Sequence, residues 1–137
     1  MILMTIVVID GMGGGIGKSV IEHIRSEYSD LEIIAVGTNS VATSVMLKAG
    51  ANHGATGENA VKVNCKKASV IIGAMGIVIV NSMYGEISPK IAKVVSSSTA
   101  HKILIPKCKC GVSVLGLEDK PIQAYIDEIN TLLKRII

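Results

Sequence analysis

Phenylalanine and tryptophan are absent from this chain, and tyrosine occurs only three times. A core without large rings must be assembled from Val, Ile, Leu, Met and Ala, the composition of strands covered on both faces. The same shortage removes the stacking surfaces that hold single-stranded bases. The 14 basic residues are scattered, with Lys66-Lys67 and Lys107-Cys108-Lys109 the only local concentrations, so no nucleic-acid partner is expected. Three cysteines, an odd number, argue against a disulfide scaffold. The longest apolar run, Val70 to Val80, is interrupted by two glycines and falls well short of the roughly 20 residues that span a bilayer. The first residues carry no basic leader pattern and run straight into an apolar stretch. These absences point to a cytoplasmic protein with no membrane segment.

What is abundant is aliphatic. Hydrophobic residues make up 49% of 137 residues, mean hydropathy is +0.51 and net charge is +3. A chain this long can bury a sizeable core as one domain. The apolar excess over what such a domain can hide suggests a self-associating face, and hence a homo-oligomer.

Apolar runs alternate with helical periodicity throughout. Residues 2–9 read as a central strand, 16–28 as a helix with Val20, Ile21 and Ile24 inward, and 31–36 as a second strand. A helix follows over 41–49, with Ser40 as cap and Gly50 as stop. A short strand near His53 and a helix over 59–67, capped by Asn59 or Thr56, come next. The run 68–73 is a strand that breaks at Gly73-Ala74-Met75-Gly76 and resumes over 77–80. Ser88 and Pro89 open another helix as N-cap and first helical residue. Residues 102–105 form a strand and 112–117 an edge strand. Pro121 opens a last helix, with Asp119 as cap and Ile122, Ile126, Ile129, Leu133 and Ile136 as its stripe. This alternation predicts a single Rossmann-like α/β domain over residues 1–137, a mostly parallel sheet of about five strands with helices on both faces. His23 falls outside the apolar face of its helix and is expected in solvent.

The most informative stretch is Asp10-Gly11-Met12-Gly13-Gly14-Gly15-Ile16-Gly17-Lys18-Ser19, placed where the first strand hands over to the first helix. Five glycines in seven positions let backbone N–H groups approach a ligand at the positive end of a helix dipole. A phosphate-bearing nucleotide is the expected ligand, with Gly11, Gly13, Gly14, Gly15, Ile16 and Gly17 supplying the cradle. Lys18 and Ser19 would add charge and a hydroxyl. Asp10 is out of place in such a loop unless it faces the sheet, caps an N–H or holds a cation.

The pattern Gly11, Gly15, Ile16, Gly17 resembles the cofactor loop of short-chain dehydrogenases, which implies a nicotinamide dinucleotide. That family's Tyr-x-x-x-Lys is missing, because Tyr28, Tyr84 and Tyr125 are followed four residues on by Glu32, Ser88 and Ile129. Its chemistry is not carried over. Gly17-Lys18-Ser19 also matches the end of a Walker loop, and Gly14 to Ser19 resembles the end of the deviant loop of the MinD and nitrogenase-iron-protein ATPases. The first Walker glycine would fall on Met12, the deviant lysine on Gly13, and no later apolar strand ends in an acid. An NTPase is thus the alternative, and a non-catalytic ligand-sensing or assembly module a further one. After the second strand stand Gly37, Thr38, Asn39 and Ser40, with no acid for ribose hydroxyls. Thr38 and Asn39 suit a phosphate instead, so NADP is expected over NAD.

Gly73 and the loop Asn81-Ser82-Met83-Tyr84-Gly85-Glu86 should share the same sheet edge. Asn81, Ser82 and Glu86 are the candidates for any catalysis, with Glu86 as acid–base group, though no nucleophile spacing accompanies them. No metal site is expected: Cys108-Lys109-Cys110 is a single pair without a second. Taken in order, Ile9 to Lys18, Gly37-Thr38-Asn39, Lys48-Ala49-Gly50-Ala51, Gly54 to Ala60 and Asn81-Ser82-Met83 resemble a family of small bacterial proteins known only as a domain of unknown function. The resemblance implies no activity. It implies that these blocks travel together, as the walls of one pocket would.

Overall fold

The computed structural model describes residues 4–107 and 110–137. Five strands, β1 (Thr5–Asp10), β2 (Glu32–Gly37), β3 (His53–Thr56), β4 (Val70–Ala74) and β5 (His101–Ile105), form one parallel sheet in the order β3-β2-β1-β4-β5. Helices α1 (Gly15–Glu27), α2 (Ser40–Ala49), α3 (Glu58–Lys67), α4 (Pro89–Ser97), α5 (Ile122–Ile126) and α6 (Ile129–Ile136) complete it, with a 3-10 turn at Met75–Val78 after β4. This is the Rossmann-like α/β architecture expected from the alternation. No helix among the described residues is long and apolar enough to cross a membrane.

Side-chain alternation along each strand divides the core in two. Ile6, Val8, Ile33, Ala35, Val70 and Ile72 face one side and pack on α1, α2, α5 and α6. Val7, Ile9, Ile34, Val36 and Ile71 face the other and pack on α3 and α4. β1, β2 and β4 are therefore covered on both faces, and their unbroken apolar runs follow from that. Because α1 and α2 lie on one face and α3 and α4 on the other, the chain changes direction between neighbouring β1 and β4. An open sheet of this kind leaves its crevice at the carboxyl ends of those two strands.

Several local expectations are corrected. Asn39, not Ser40, caps α2, its Oδ1 accepting from Ala42 N–H at 2.9 Å. Neither Asn59 nor Thr56 caps α3, which begins after Gly57 without a side-chain cap. The strand at β4 does not resume after Gly76; the chain tightens into the 3-10 turn, burying Ile77 beneath the sheet edge. Residues 112–117 form no strand, and their apolar side chains stay largely exposed. The last helix is two, α5 and α6, opened by Pro121 as N-cap while Asp119 pairs with Lys107 instead. Their shared stripe is as read: Ile126, Ile129 and Leu133 are buried. His23 is not in solvent. Its side chain is 21% exposed, lies 3.8 Å from Asp127, and its Nε2 is buried without a partner among the described residues. The docking of α5 and α6 on α1, which local periodicity did not foretell, covers it. Ser88 does cap α4, accepting from Ile91 N–H at 3.2 Å, with Pro89 as first helical residue.

Candidate functional site

The crevice between β1 and β4 holds a cleft of about 760 Å³. One wall is Asp10 to Ile16. The other is Ala74, Gly76 and Ile79 to Tyr84, and Lys107 and Cys110 complete the lining. Among the described residues Lys107 is its cation, 37% exposed and 3.8 Å from Asp119.

The glycine loop is tied down from within. Asp10 ends β1 with only 5% of its surface exposed. Its Oδ1 accepts from Gly11 N–H at 2.8 Å and its Oδ2 from Gly17 N–H at 2.7 Å. The carboxylate thus caps α1 from beneath, taking a donor that the helix cannot satisfy itself. Burial pushes the Asp10 carboxyl up from its ordinary range; the Gly17 and Gly11 amides pull against that, and the Glu86 charge adds to it. Gly14 turns the chain at φ 74° while its N–H donates to Gly11 O at 2.9 Å. A side chain there would press on the α2 backbone at Ala42, 2.9 Å away.

Glu86 ties the far side. Its Oε1 accepts from Met12 N–H at 2.9 Å, Thr38 Oγ1 at 2.6 Å and Asn39 Nδ2 at 2.8 Å. Asn39 Nδ2 also donates to Met12 O at 2.9 Å. Desolvation raises the Glu86 carboxyl, but the bonds from Thr38, Met12 and Asn39 outweigh it and hold the group below its usual range. The segment carrying Glu86 bends sharply to reach the loop: Asn81, Met83, Tyr84 and Gly85 all have positive φ. Such conformations in non-glycine residues persist only when surroundings over-determine them. Here Ser82 Oγ donates to Gly76 O, Ile87 N–H to Ser82 O at 3.2 Å, and Asn81 N–H to Ile87 O at 2.8 Å.

What remains open is specific. Among the described residues, the N–H groups of Gly13 and Gly15 have no protein partner. A Cβ built on either would meet nothing within 4 Å, and neither has positive φ. Both line the cleft beside the start of α1, where the dipole favours negative charge. Two unpartnered amides and Lys107 in the same hollow are groups that can hold an anion.

The candidates from sequence divide accordingly. Gly11, Gly13, Gly14, Gly15, Ile16, Asn81 and Ser82 line the cleft. Gly17, Lys18, Ser19, Thr38, Asn39, Gly73 and Glu86 do not. Gly17 lets Met46 pack: a Cβ there would sit 2.4 Å from its Sδ. Lys18 is exposed on α1. Gly73 has no room for a side chain, because a Cβ on it would stand 2.7 Å from Ile9 O and 2.8 Å from Ile77 Cδ1. Thr38, Asn39 and Glu86 bond to one another beside the cleft. Ser82 is held by Gly76 O, while the Asn81 side-chain amide is exposed and unpartnered among the described residues. The sequence marks Asp10 only as an anomaly, an acid abutting a glycine run. It gives no sign that Lys107 and the wall at Ile79 and Val80 belong to the site. Cys108 and Lys109 lie outside the described residues. Cys65, on the inner face of α3, is buried in the core on that side of the sheet, its thiol pushed up to about 11 by burial.

A Rossmann-like domain with its glycine loop opening on the strand-reversal crevice is the class that fold and site define. The chain belongs to the family described as a domain of unknown function, DUF3842, whose model matches residues 5–137. No curated protein matches the chain.

Proposed function

We propose that this protein binds a nucleotide, nicotinamide dinucleotides included, with a phosphate seated on the Gly13 and Gly15 amides at the start of α1. The observation that carries the reading is the open space around those two glycines. The other loop glycines are required by the protein's own packing or backbone conformation, whereas Gly13 and Gly15 face open cleft with free N–H groups. Lys107 would supply a counter-charge, and Ile79, Val80 and Met83 apolar surface for the rest of the ligand. Lys18 stands outside the cleft, which favours binding of this kind over a Walker-type NTPase.

A thermal-shift screen of NAD, NADP and ATP, the last with and without Mg²⁺, tests the reading. Ligand at 100 times its dissociation constant stabilises by about 2.7 kcal/mol, a clear rise in melting temperature. Gly15→Ala should leave the apo protein folded and weaken that response, because its new methyl group occupies ligand space alone. Silence toward every nucleotide would sink the proposal. A second reading, assembly of like chains, is favoured by Val112, Val114, Leu115 and Leu117, of which Leu115 is 97% exposed. Sedimentation over a concentration series tests it; a monomer throughout would reject it.

A further inference from the structure

We infer that the open edge of β5 is the docking site for residues 112–115 of a second copy of this chain, which add to it as an antiparallel strand, each copy lending its segment to the other. The inference rests on the assembly reading above and names the surfaces that meet. β5 stands last in the sheet order, so one side of it has no neighbouring strand among the described residues. His101 donates its N–H inward to Ser69 O at 3.1 Å, and Ile103 and Ile105 point the same way by alternation. The N–H and C=O groups of Lys102 and Leu104 therefore face outward, a template for one more strand. A lysine on an edge discourages such pairing, but Lys102 Nζ is drawn back onto Ser98 O at 2.6 Å and Ala100 O at 3.2 Å. Beside this edge a hollow of about 240 Å³ lies between β5 and α6, with Ile103, Ile105, Ile129 and Leu132 in its lining. The same chain carries an occupant for it. Residues 112–115 read Val-Ser-Val-Leu, a strand composition with no place in its own sheet: Val112, Val114 and Leu115 are 46%, 45% and 97% exposed. Gly111 and Gly116 set the stretch off at either end, at φ 75° and 86°. As an added strand it turns Leu115 to one face and Val112 and Val114 to the other, which suits a sheet covered on both sides. Charge fixes the direction. Antiparallel pairing brings Glu118 and Asp119, exposed just after the segment, toward the His101 and Lys102 end of β5. The hollow adds Arg135, which has no partner among the described residues, while its acid, Glu128, is already paired with Lys120 at 3.0 Å. Reciprocal exchange makes the contact two-fold and closed, a dimer and not a fibre.

Sedimentation over a concentration series, run on the wild type and on Leu115→Asp, is read together with amide hydrogen exchange at Lys102 and Leu104. Leu115 is almost wholly exposed in its own chain, so the variant keeps the fold and loses apolar docking surface. The wild type should dimerise, and Leu115→Asp should raise the dissociation constant on the order of tenfold or more. The Lys102 and Leu104 amides should exchange slowly in concentrated wild-type protein and fast on dilution and in the variant. A dimer that Leu115→Asp leaves intact would overturn the inference; protected β5 amides in that case mean that β5 pairs with β5. A dimer weakened by Leu115→Asp whose Lys102 and Leu104 amides stay fast would overturn it too, since the segment then docks elsewhere. Either result leaves assembly of like chains standing, whereas a monomer at every concentration overturns both.

Discussion

The two flanks of the glycine loop are opposites. Toward β2 the loop is sealed: Met12 gives its N–H to Glu86, its carbonyl accepts from Asn39, and Thr38 closes the knot. Toward β4 it is open: Gly13 and Gly15, whose amides have no partner among the described residues, line a cleft of about 760 Å³. One continuous run of small residues therefore does two jobs. Its sealed part fixes the shape of the turn, and its open part leaves two amides without a protein partner among the described residues. Two carboxylates do the sealing, Asp10 from below and Glu86 from the side. Between them they take the N–H groups of Gly11, Met12 and Gly17.

The contrast can be broken at either flank. Asp10→Ala should cost most, about 3 kcal/mol, because the Gly11 and Gly17 N–H groups are left unpaired; urea unfolding measures it. Glu86→Ala should follow at about 2 kcal/mol, since its three donors are nearer solvent and water replaces part of the loss. Gly17→Ala should cost about 1–2 kcal/mol, with Met46 forced aside and ligand binding affected only through the tilt of α1. Gly15→Ala should have the smallest effect on folding, within about 1 kcal/mol and stabilising, because alanine favours the helix that begins there. If Gly15→Ala proved as damaging as Gly17→Ala, the division of the loop into packed and open glycines would fail.

Acidity sharpens the same comparison, because the two carboxylates respond oppositely. Glu86 sits below its ordinary value of 4.5, so folding favours its charged form. Its contribution is present above pH 4.5 and fades as pH falls through the lower folded value. Asp10 sits above its ordinary value of 3.8, so folding favours its protonated form. Its contribution is full below pH 3.8 and is lost as pH rises through the raised folded value. The stability gap between wild type and Glu86→Gln should accordingly shrink in acid, while that between wild type and Asp10→Asn should grow. Denaturant midpoints taken across the acid range follow both.

Much of the fold is legible in the sequence. The aliphatic runs at β1, β2 and β4 announced buried strands, and Ser88-Pro89 marked the start of α4 by its capping chemistry. The run from Gly11 to Gly17 located the crevice. Local pattern misleads where non-local contacts override it. The apolar run after Gly76 reads as a strand by periodicity, but Ile77 is drawn under the sheet into a 3-10 turn. The residues at 112–117 look like an edge strand, yet no neighbour among the described residues offers them a ladder. The lack of an acid after β2 was a correct statement about the segment and an incomplete one about the place.

The sequence by itself determined the layering and the position of the loop, because periodicity and glycine content act through neighbours along the chain. Only the tertiary structure decided which of that loop's amides are free. That depends on Glu86 meeting Met12 across 74 positions and on the buried carboxylate of Asp10 reaching forward to Gly17, pairings fixed by how the elements pack and not by any local preference.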